Sequence, residues 1–204
     1  LFNRDLLAVL FSDEFPGIAE LTGPFVLLVL CGIATTNIIS APSISLEGKT
    51  LWIAQSIPVK ASDGLMSKAF THMTVCLPSV LFAGVMLNLI LDINPLTRVL
   101  LFLTPAALTV FQAMFGVAVN LRFPKFDWIS EMIAVKQGAS TLIAMFGAMA
   151  LVALPTILHA SALSSLIRPE IYIALVTVLI AALAAGLYVF LKTKGGKMFS
   201  ALSA

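Results

Sequence analysis

The stretch IYIALVTVLIAALAAGLYVFL occupies residues 171–191 and contains no Asp, Glu, Lys or Arg. A helix needs about 20 residues, at about 1.5 Å rise per residue, to cross a hydrocarbon core about 30 Å thick. Backbone groups in lipid must bond within their own segment, so this stretch is predicted to be a membrane-spanning helix. Four further charge-free stretches, which bring the prediction to about five spans, are Leu21–Leu46, Ala69–Leu91, Val99–Leu121 and Gln137–Ile167.

The composition also favours a helix bundle in a membrane. Hydrophobic residues make up 60% of the chain and charged residues 11%, with a mean hydropathy of +1.06. Soluble domains carry about 25% charged residues, and a chain this apolar could not cover its surface in water. We therefore predict an all-α, polytopic transmembrane helix bundle, forming a single domain over residues 1–204, with short interfacial helices on the cytoplasmic side.

Several functional classes receive no support from the sequence. There is no basic stripe with interleaved aromatic residues, so nucleic acid is not an expected partner. Cys31 and Cys76 lie in apolar runs and are interpreted as small core residues, not as a disulfide or a metal pair. No cluster of His, Cys and carboxylates predicts a metal, and no catalytic residues are proposed. The chain opens at Leu1 without a signal-peptide pattern, so we expect a fragment, the C-terminal part of something longer.

Lys and Arg are distributed unevenly between alternate connecting segments. Nine of the twelve lie in residues 42–70, residues 120–137 and the tail after Leu191, whereas three lie in the intervening segments. Cytoplasmic loops carry the excess of Lys and Arg, so the first set is predicted to be cytoplasmic. Residues 1–20 and the turns at Asp92–Pro95 and His159–Pro169 would then lie outside. Spans two and three, and spans four and five, would form hairpins.

The sequence SISLEGKTLWIAQSIP, residues 43–58, follows an apolar span yet contains charges. Helical spacing would place Ile44, Gly48, Leu51, Trp52 and Gln55 along one side, which suits a short helix at the membrane surface. Pro58 should end that helix, because a residue before proline is pushed out of the helical region. Two interpretations remain open for segment 43–58: an interfacial anchor, or a docking element for a cytoplasmic partner.

The tripeptide Gly48-Lys49-Thr50 is similar to the end of a phosphate-binding loop. That loop needs a glycine five residues before its Gly-Lys pair, and Ser43 stands there. It also needs a preceding strand, whereas a predicted span precedes it here. Nucleotide binding by this chain is therefore excluded.

Two motifs of the chain resemble bacterial ABC-2-type transporter permease subunits. Residues 45–59, SLEGKTLWIAQSIPV, are similar to the family pattern SLEGKNLWILKSLPVS, and residues 121–128, LRFPKFDW, to LKFPKFDW. The second motif continues with Glu131 and with VKQ at residues 135–137, as in the family. Thr50 replaces the usual Asn, Gln55 replaces a Lys and Lys60 stands where Ser is common. The change at Gln55 leaves open whether the same partner contact is kept.

The resemblance implies a permease subunit of an ATP-driven transporter, an exporter, in a bacterial cytoplasmic membrane. Such permeases carry no ATPase and work with a separate ATP-binding cassette subunit, which holds ATP and magnesium. A second permease half or copy is also implied. By the same resemblance, the candidate partner-coupling residues are Glu47, Gly48, Lys49, Trp52 and Pro58.

A second candidate cytoplasmic patch lies in segment 120–137. The resemblance assigns to it Asp127, Trp128, Glu131 and Lys136. An interfacial belt is an equal alternative, because Trp beside Lys and Asp is ordinary at lipid headgroups.

Few polar residues fall inside the predicted spans, the main ones being Asn37, His72, Asn88 and Gln112. At membrane depth such groups usually face the bundle, so hydrogen bonds between helices are favoured over contacts with a substrate. Residues 181–186, AALAAG, have small-residue spacing and predict close packing of span five on another helix.

Alternative functions are a self-sufficient channel or secondary transporter, and a membrane-embedded structural or assembly protein. A channel or secondary transporter would need ionisable residues inside its spans, and these spans have almost none. A membrane-embedded enzyme would need clustered catalytic groups near an interface, and the sequence has no such cluster. The spans contain no charged residue that would indicate the substrate.

Overall fold

The computed structural model of the chain describes residues 18–202, and the side chains of residues 23–202. Regular structure in this part of the chain is helical. A 3₁₀ turn at Ser45–Thr50 precedes the helix Leu51–Ser56, and π-helical turns at His159–Leu163 and Leu191–Gly195 follow the helices Ala139–Leu158 and Pro169–Phe190. The α-helices are α1 Ile18–Thr35, α2 Leu51–Ser56, α3 Ala61–Ile90, α4 Pro95–Arg122, α5 Glu131–Lys136, α6 Ala139–Leu158, α7 Pro169–Phe190 and α8 Gly196–Ser200.

Four helical runs are long and apolar enough to cross a membrane. They are Ala61–Ile90, Pro95–Arg122, Glu131–Leu163, which is interrupted at residues 137–138, and Pro169–Ser200, and a shorter apolar helix covers Gly23–Thr35. The four runs contain the charge-free stretches that predicted spans three and five, and most of the stretches that predicted spans two and four. The predicted fold class, an all-helical integral membrane bundle, is therefore confirmed.

The first predicted span, Leu21–Leu46, is wrong in its second half. α1 ends at Thr35, and turns follow over residues 36–44. Thr35 Oγ1 donates to Gly32 O at 2.6 Å, and Thr36 Oγ1 donates to Ile33 O at 2.7 Å. These local bonds occupy carbonyls near the helix end, and such side chains compete with continuation of a helix. The absence of charged residues alone therefore does not predict where this helix ends.

Helix α4 lies at the centre of the bundle. In its most apolar 18-residue window 61% of residues are buried, against 17–22% in the other three long helical runs. It packs against α1, α3, α6 and α7. Near its outer third, Thr104 Oγ1 and Thr177 Oγ1 are hydrogen-bonded at 2.8 Å, which joins α4 to α7. Any change in the tilt of α4 would therefore affect most of the bundle.

The three basic segments lie at the same end of the bundle, which we call the inner end. Lys68 contacts Glu47 at 2.6 Å, and Lys192 contacts Asp63 at 2.6 Å. At the opposite end, Asn94 Nδ2 donates to Glu170 Oε1 at 2.9 Å, between the starts of α4 and α7. The alternation of ends expected from the charges is therefore present over residues 18–202. The predicted outside position of residues 1–20 lies almost wholly outside the described residues.

The orientation of the bundle is testable by cysteine labelling in a variant lacking Cys31 and Cys76. A cysteine introduced at Lys60 or Lys125 should be shielded from an impermeant thiol reagent in intact cells, because both positions lie at the basic inner end. A cysteine at Asn94 should react. A permeant reagent, which should label all three, is the control, and the reverse pattern of protection would contradict the orientation.

Candidate functional site

The two motif-bearing segments contact each other at the inner end. Gly48 has φ 49° and ψ −129°, a backbone conformation that favours glycine. A Cβ at this position would lie 2.9 Å from Trp128 Cζ2, so the indole ring lies directly against the Gly48 backbone. Trp128 Nε1 donates to Ser45 O at 2.7 Å, and Lys125 N donates to Ser45 Oγ at 2.9 Å. Segments 43–58 and 120–137 thus form one site.

A buried amide holds this site together. Asn120 is fully buried, and its Oδ1 accepts from Ile44 N at 2.6 Å and from Ser45 N at 3.0 Å. Its Nδ2 donates to Ser45 Oγ at 2.7 Å and to Ser140 Oγ at 2.9 Å. Both acceptor positions and both donor hydrogens of the amide are used. We call Ser45, Asn120, Trp128 and Ser140 the inner junction, which joins segment 43–58 to α4 and α6.

Asn120 belongs to a stripe on α4 that also includes Gln112 and Gly116, each four residues apart. This spacing places the three on one face of the helix. Gln112 Nε2 donates to Thr35 O at 2.8 Å and to Asn37 O at 2.6 Å, which satisfies carbonyls at and beyond the end of α1. Helix ends leave such carbonyls without intrahelical partners. The stripe therefore supports the non-helical stretch after α1.

The stretch after α1 also lies close to Gly116 and is hydrogen-bonded to α3. A Cβ at Gly116 would overlap Ser40 Oγ and would lie 3.0 Å from Ala41 N, so the chain passes against the bare glycine backbone. Ser40 N donates to His72 Nδ1 at 3.4 Å, and Ser40 Oγ donates to Gln112 O at 3.3 Å. Non-helical backbone within a membrane bundle is tolerated when it is buried in protein, as residues 40–42 are.

The polar residues predicted inside the spans have different roles. Gln112 and His72 bond to the chain after α1. Asn37 Nδ2 donates to nearby Ala34 O at 3.3 Å, and Asn88 Nδ2 donates to Gly84 O at 2.9 Å in its own helix. Asn88 also approaches Arg98 O at 3.5 Å.

The candidate coupling residues do not share one surface. Gly48 is buried, and Glu47 is half-buried with its Oε1 paired to Lys68, which also donates to Ser43 O at 3.1 Å. Lys49 and Pro58 are exposed, and Trp52 is 66% exposed. Of the five candidate coupling residues, only Lys49, Trp52 and Pro58 are therefore exposed enough to contact another molecule.

The second candidate patch is likewise divided. Trp128 is half-buried and belongs to the inner junction. Asp127 is exposed just before it. Glu131 and Lys136 are exposed at the first and last positions of α5.

Helix α2 is seated on an apolar cluster at the inner end. Leu51 is buried there together with Leu65, Leu121, Leu191 and Phe199, which come from α3, from α4 and from the segment after α7. At the neighbouring position on the same side, Gln55 Nε2 donates to Phe199 O at 2.9 Å and to Leu202 O at 3.1 Å. Gln55, where the family pattern has Lys, therefore joins α2 to the C-terminal segment.

Sequence reasoning missed four residues of this site: Ser45, Lys68, Asn120 and Ser140. Ser45 lay within the motif without an assigned role, and Lys68 was counted only as a charge. A usable signal for Asn120 was present, because Gln112, Gly116 and Asn120 repeat at intervals of four on a predicted span.

The small residues of α7 pack closely only at Ala184. Ala184 is buried, whereas Ala181, Ala182, Ala185 and Gly186 are exposed. An open apolar groove of about 450 Å³ runs between α4 and α7. Its lining residues are Ala107, Val110, Met114, Ala181, Ala184, Ala185 and Tyr188.

Within residues 18–202 there is no group of three or more His, Cys, Asp and Glu side chains placed to hold a metal ion. Cys31 and Cys76 are buried thiols.

The fold and the site define a polytopic helical membrane protein in which segments 43–58 and 120–137 pack together at the inner end. Comparison of the sequence with models of known protein families, with curated proteins and with solved structures finds no match.

Proposed function

We propose that the chain is the permease subunit of an ATP-driven exporter, with ATP hydrolysed on a separate ATP-binding cassette subunit. The observation that carries the proposal is the contact of Trp128 with Gly48 and Ser45. The two motifs that resemble the ABC-2 permease family lie about seventy residues apart, and they meet at the basic end of the bundle. A shared role for both motifs would explain why Ser45 and Gly48 of the first motif contact Trp128 of the second.

The partner-binding surface would be the exposed side of α2 and the residues that flank it. Lys49, Trp52, Ile53 and Pro58 are exposed there, while Leu51 on the opposite side is buried. A cation beside apolar side chains suits a protein interface, in which aromatic residues supply contact area and rim charges influence association. Glu47 and Gly48 would act indirectly, by holding this surface in position.

The first test is purification of the full-length protein with and without any ATP-binding cassette protein whose gene lies beside its own. The two should form a stable complex that hydrolyses ATP, whereas the chain alone should not hydrolyse ATP, because it has no phosphate-binding loop. ATP hydrolysis by the rigorously purified chain alone, or the absence of any such complex, would overturn the proposal. Either result would favour a self-sufficient transporter or a structural protein.

Lys49→Glu should weaken binding of the ATP-binding cassette subunit by about 10-fold, equivalent to about 1.4 kcal/mol. Lys49 is exposed, so its replacement should leave the thermal stability of the bundle unchanged. The matched control is Arg168→Glu, the same charge change at an exposed position of the opposite end. Binding is measured by titrating the labelled subunit into nanodiscs. Equal affinities for wild type and Lys49→Glu would remove this surface from the interface.

A further inference from the structure

Besides its contact with the C-terminal segment through Gln55, segment 43–58 is connected to the bundle by two routes, one to α4 and one to α3. Residues 57–60, which link α2 to α3, are exposed and non-helical. This covalent link is therefore a weak path for transmitting a displacement. The non-covalent contacts decide which helix follows the segment when it moves.

The contacts with α3 consist of apolar packing and of the bonds of one side chain, Lys68, which pairs with Glu47 and donates to Ser43 O at 3.1 Å. The side chains of Lys68 and Glu47 keep 19% and 20% of their exposure. Water and salt weaken an ion pair that solvent still reaches. Leu51 packs near Leu65 in the inner cluster, but apolar attraction is non-directional and allows side chains to slide past each other.

The contacts with α4 and the loop that follows it are directional and more deeply buried. Asn120, which is fully buried, accepts the N–H groups of Ile44 and Ser45 and donates to Ser45 Oγ. Trp128 Nε1 donates to Ser45 O. Breaking such bonds leaves buried polar groups unpaired, which costs more than separating an ion pair that water still reaches. These bonds therefore resist displacement more than the contacts with α3.

We infer that the inner junction makes segment 43–58 and α4 move as one unit, so that Asn120 passes displacement of the segment to α4 and not to α3. The inference rests on the proposed function, since it assumes that a bound ATPase displaces the segment. It makes Asn120 a positioning residue. Because α4 contacts α1, α3, α6 and α7, a displacement that arrives at α4 would reach the whole bundle.

Two spin-label distances test this inference in the complex with the ATP-binding cassette subunit, in a background lacking Cys31 and Cys76. Labels at Thr50 and Arg122 report the distance from the segment to α4, and labels at Thr50 and Ser67 report the distance from the segment to α3. These three positions are exposed. When ATP binds, the first distance should stay constant and the second should change. A change in the first distance, or no change in either, would overturn the inference.

Variants separate the two routes. Asn120→Ser should make the Thr50–Arg122 distance depend on ATP, whereas Lys68→Met, the matched change on α3, should leave it constant. If Asn120→Ser does not fold, Trp128→Phe removes the indole N–H together with part of the ring, leaves Asn120 in place and should broaden the same distance distribution. A Thr50–Arg122 distance that only Lys68→Met disturbs would assign the coupling to α3. Failure of the proposed function has a different signature, because the ATP-binding subunit would then not bind the wild-type protein.

Discussion

Replacement of Asn120 by leucine is expected to destabilise the bundle by roughly 2–6 kcal/mol. Leucine has a similar size but cannot accept the N–H groups of Ile44 and Ser45, which would remain buried. Each backbone donor left unpaired in that way costs about 1–3 kcal/mol. The measurement is unfolding in lipid–detergent mixtures, followed by helical circular dichroism.

The matched control is Asn88→Leu. Asn88 bonds chiefly to Gly84 O, a carbonyl of its own helix, and its replacement leaves no backbone N–H unpaired. Its loss should cost less than about 1 kcal/mol. Equal effects at positions 88 and 120 would show that the inner junction contributes no more than a local bond does.

The sequence predicted the long helices because lipid leaves few alternatives to a helix. A charge-free stretch of sufficient length must pair its own backbone groups, and this condition alone locates α3, α4, α6 and α7. The alternation of charges then predicted which connections share an end. These predictions need only local information, and the structure agrees with them.

The end of α1 could not be predicted in the same way, because the competing interactions are not local. Thr35 and Gln112 are 77 positions apart, yet the amide of Gln112 satisfies the carbonyl of Thr35 and supports the turn after it. A hydropathy pattern cannot reveal that a polar side chain on one helix compensates for the end of another.

The resemblance located the two motifs of the candidate site but did not predict that they contact each other. The motif residues Gly48 and Trp128 were assigned to two separate patches, whereas the indole lies against the glycine backbone. Contact across 80 positions depends on the packing of α4 beside the chain after α1. Neither motif contains that information. Lys49 is likewise exposed while Glu47 is half-buried, although only one residue separates them in the sequence.

Gly116→Ala is expected to destabilise the bundle by about 1–3 kcal/mol, the usual cost of excess volume in a packed core. Intrinsic propensity predicts the opposite sign, because alanine in a helix is favoured over glycine by about 1 kcal/mol. The steric effect should win at this position. The added methyl would overlap Ser40 Oγ and lie 3.0 Å from Ala41 N, and a backbone atom cannot rotate away as a flexible side chain can.

Gly186→Ala on α7 supplies the control for the same substitution. A Cβ at Gly186 meets no atom within 4 Å, so only the gain in helix propensity remains, and this variant should be as stable as wild type or more stable. Both variants are compared in one unfolding assay. Opposite signs are expected because only Gly116 allows the chain after α1 to lie against α4. If Gly116→Ala also stabilised the protein, the close approach of Ser40 and Ala41 to α4 would be refuted, and with it the support for the inner junction from the α4 stripe.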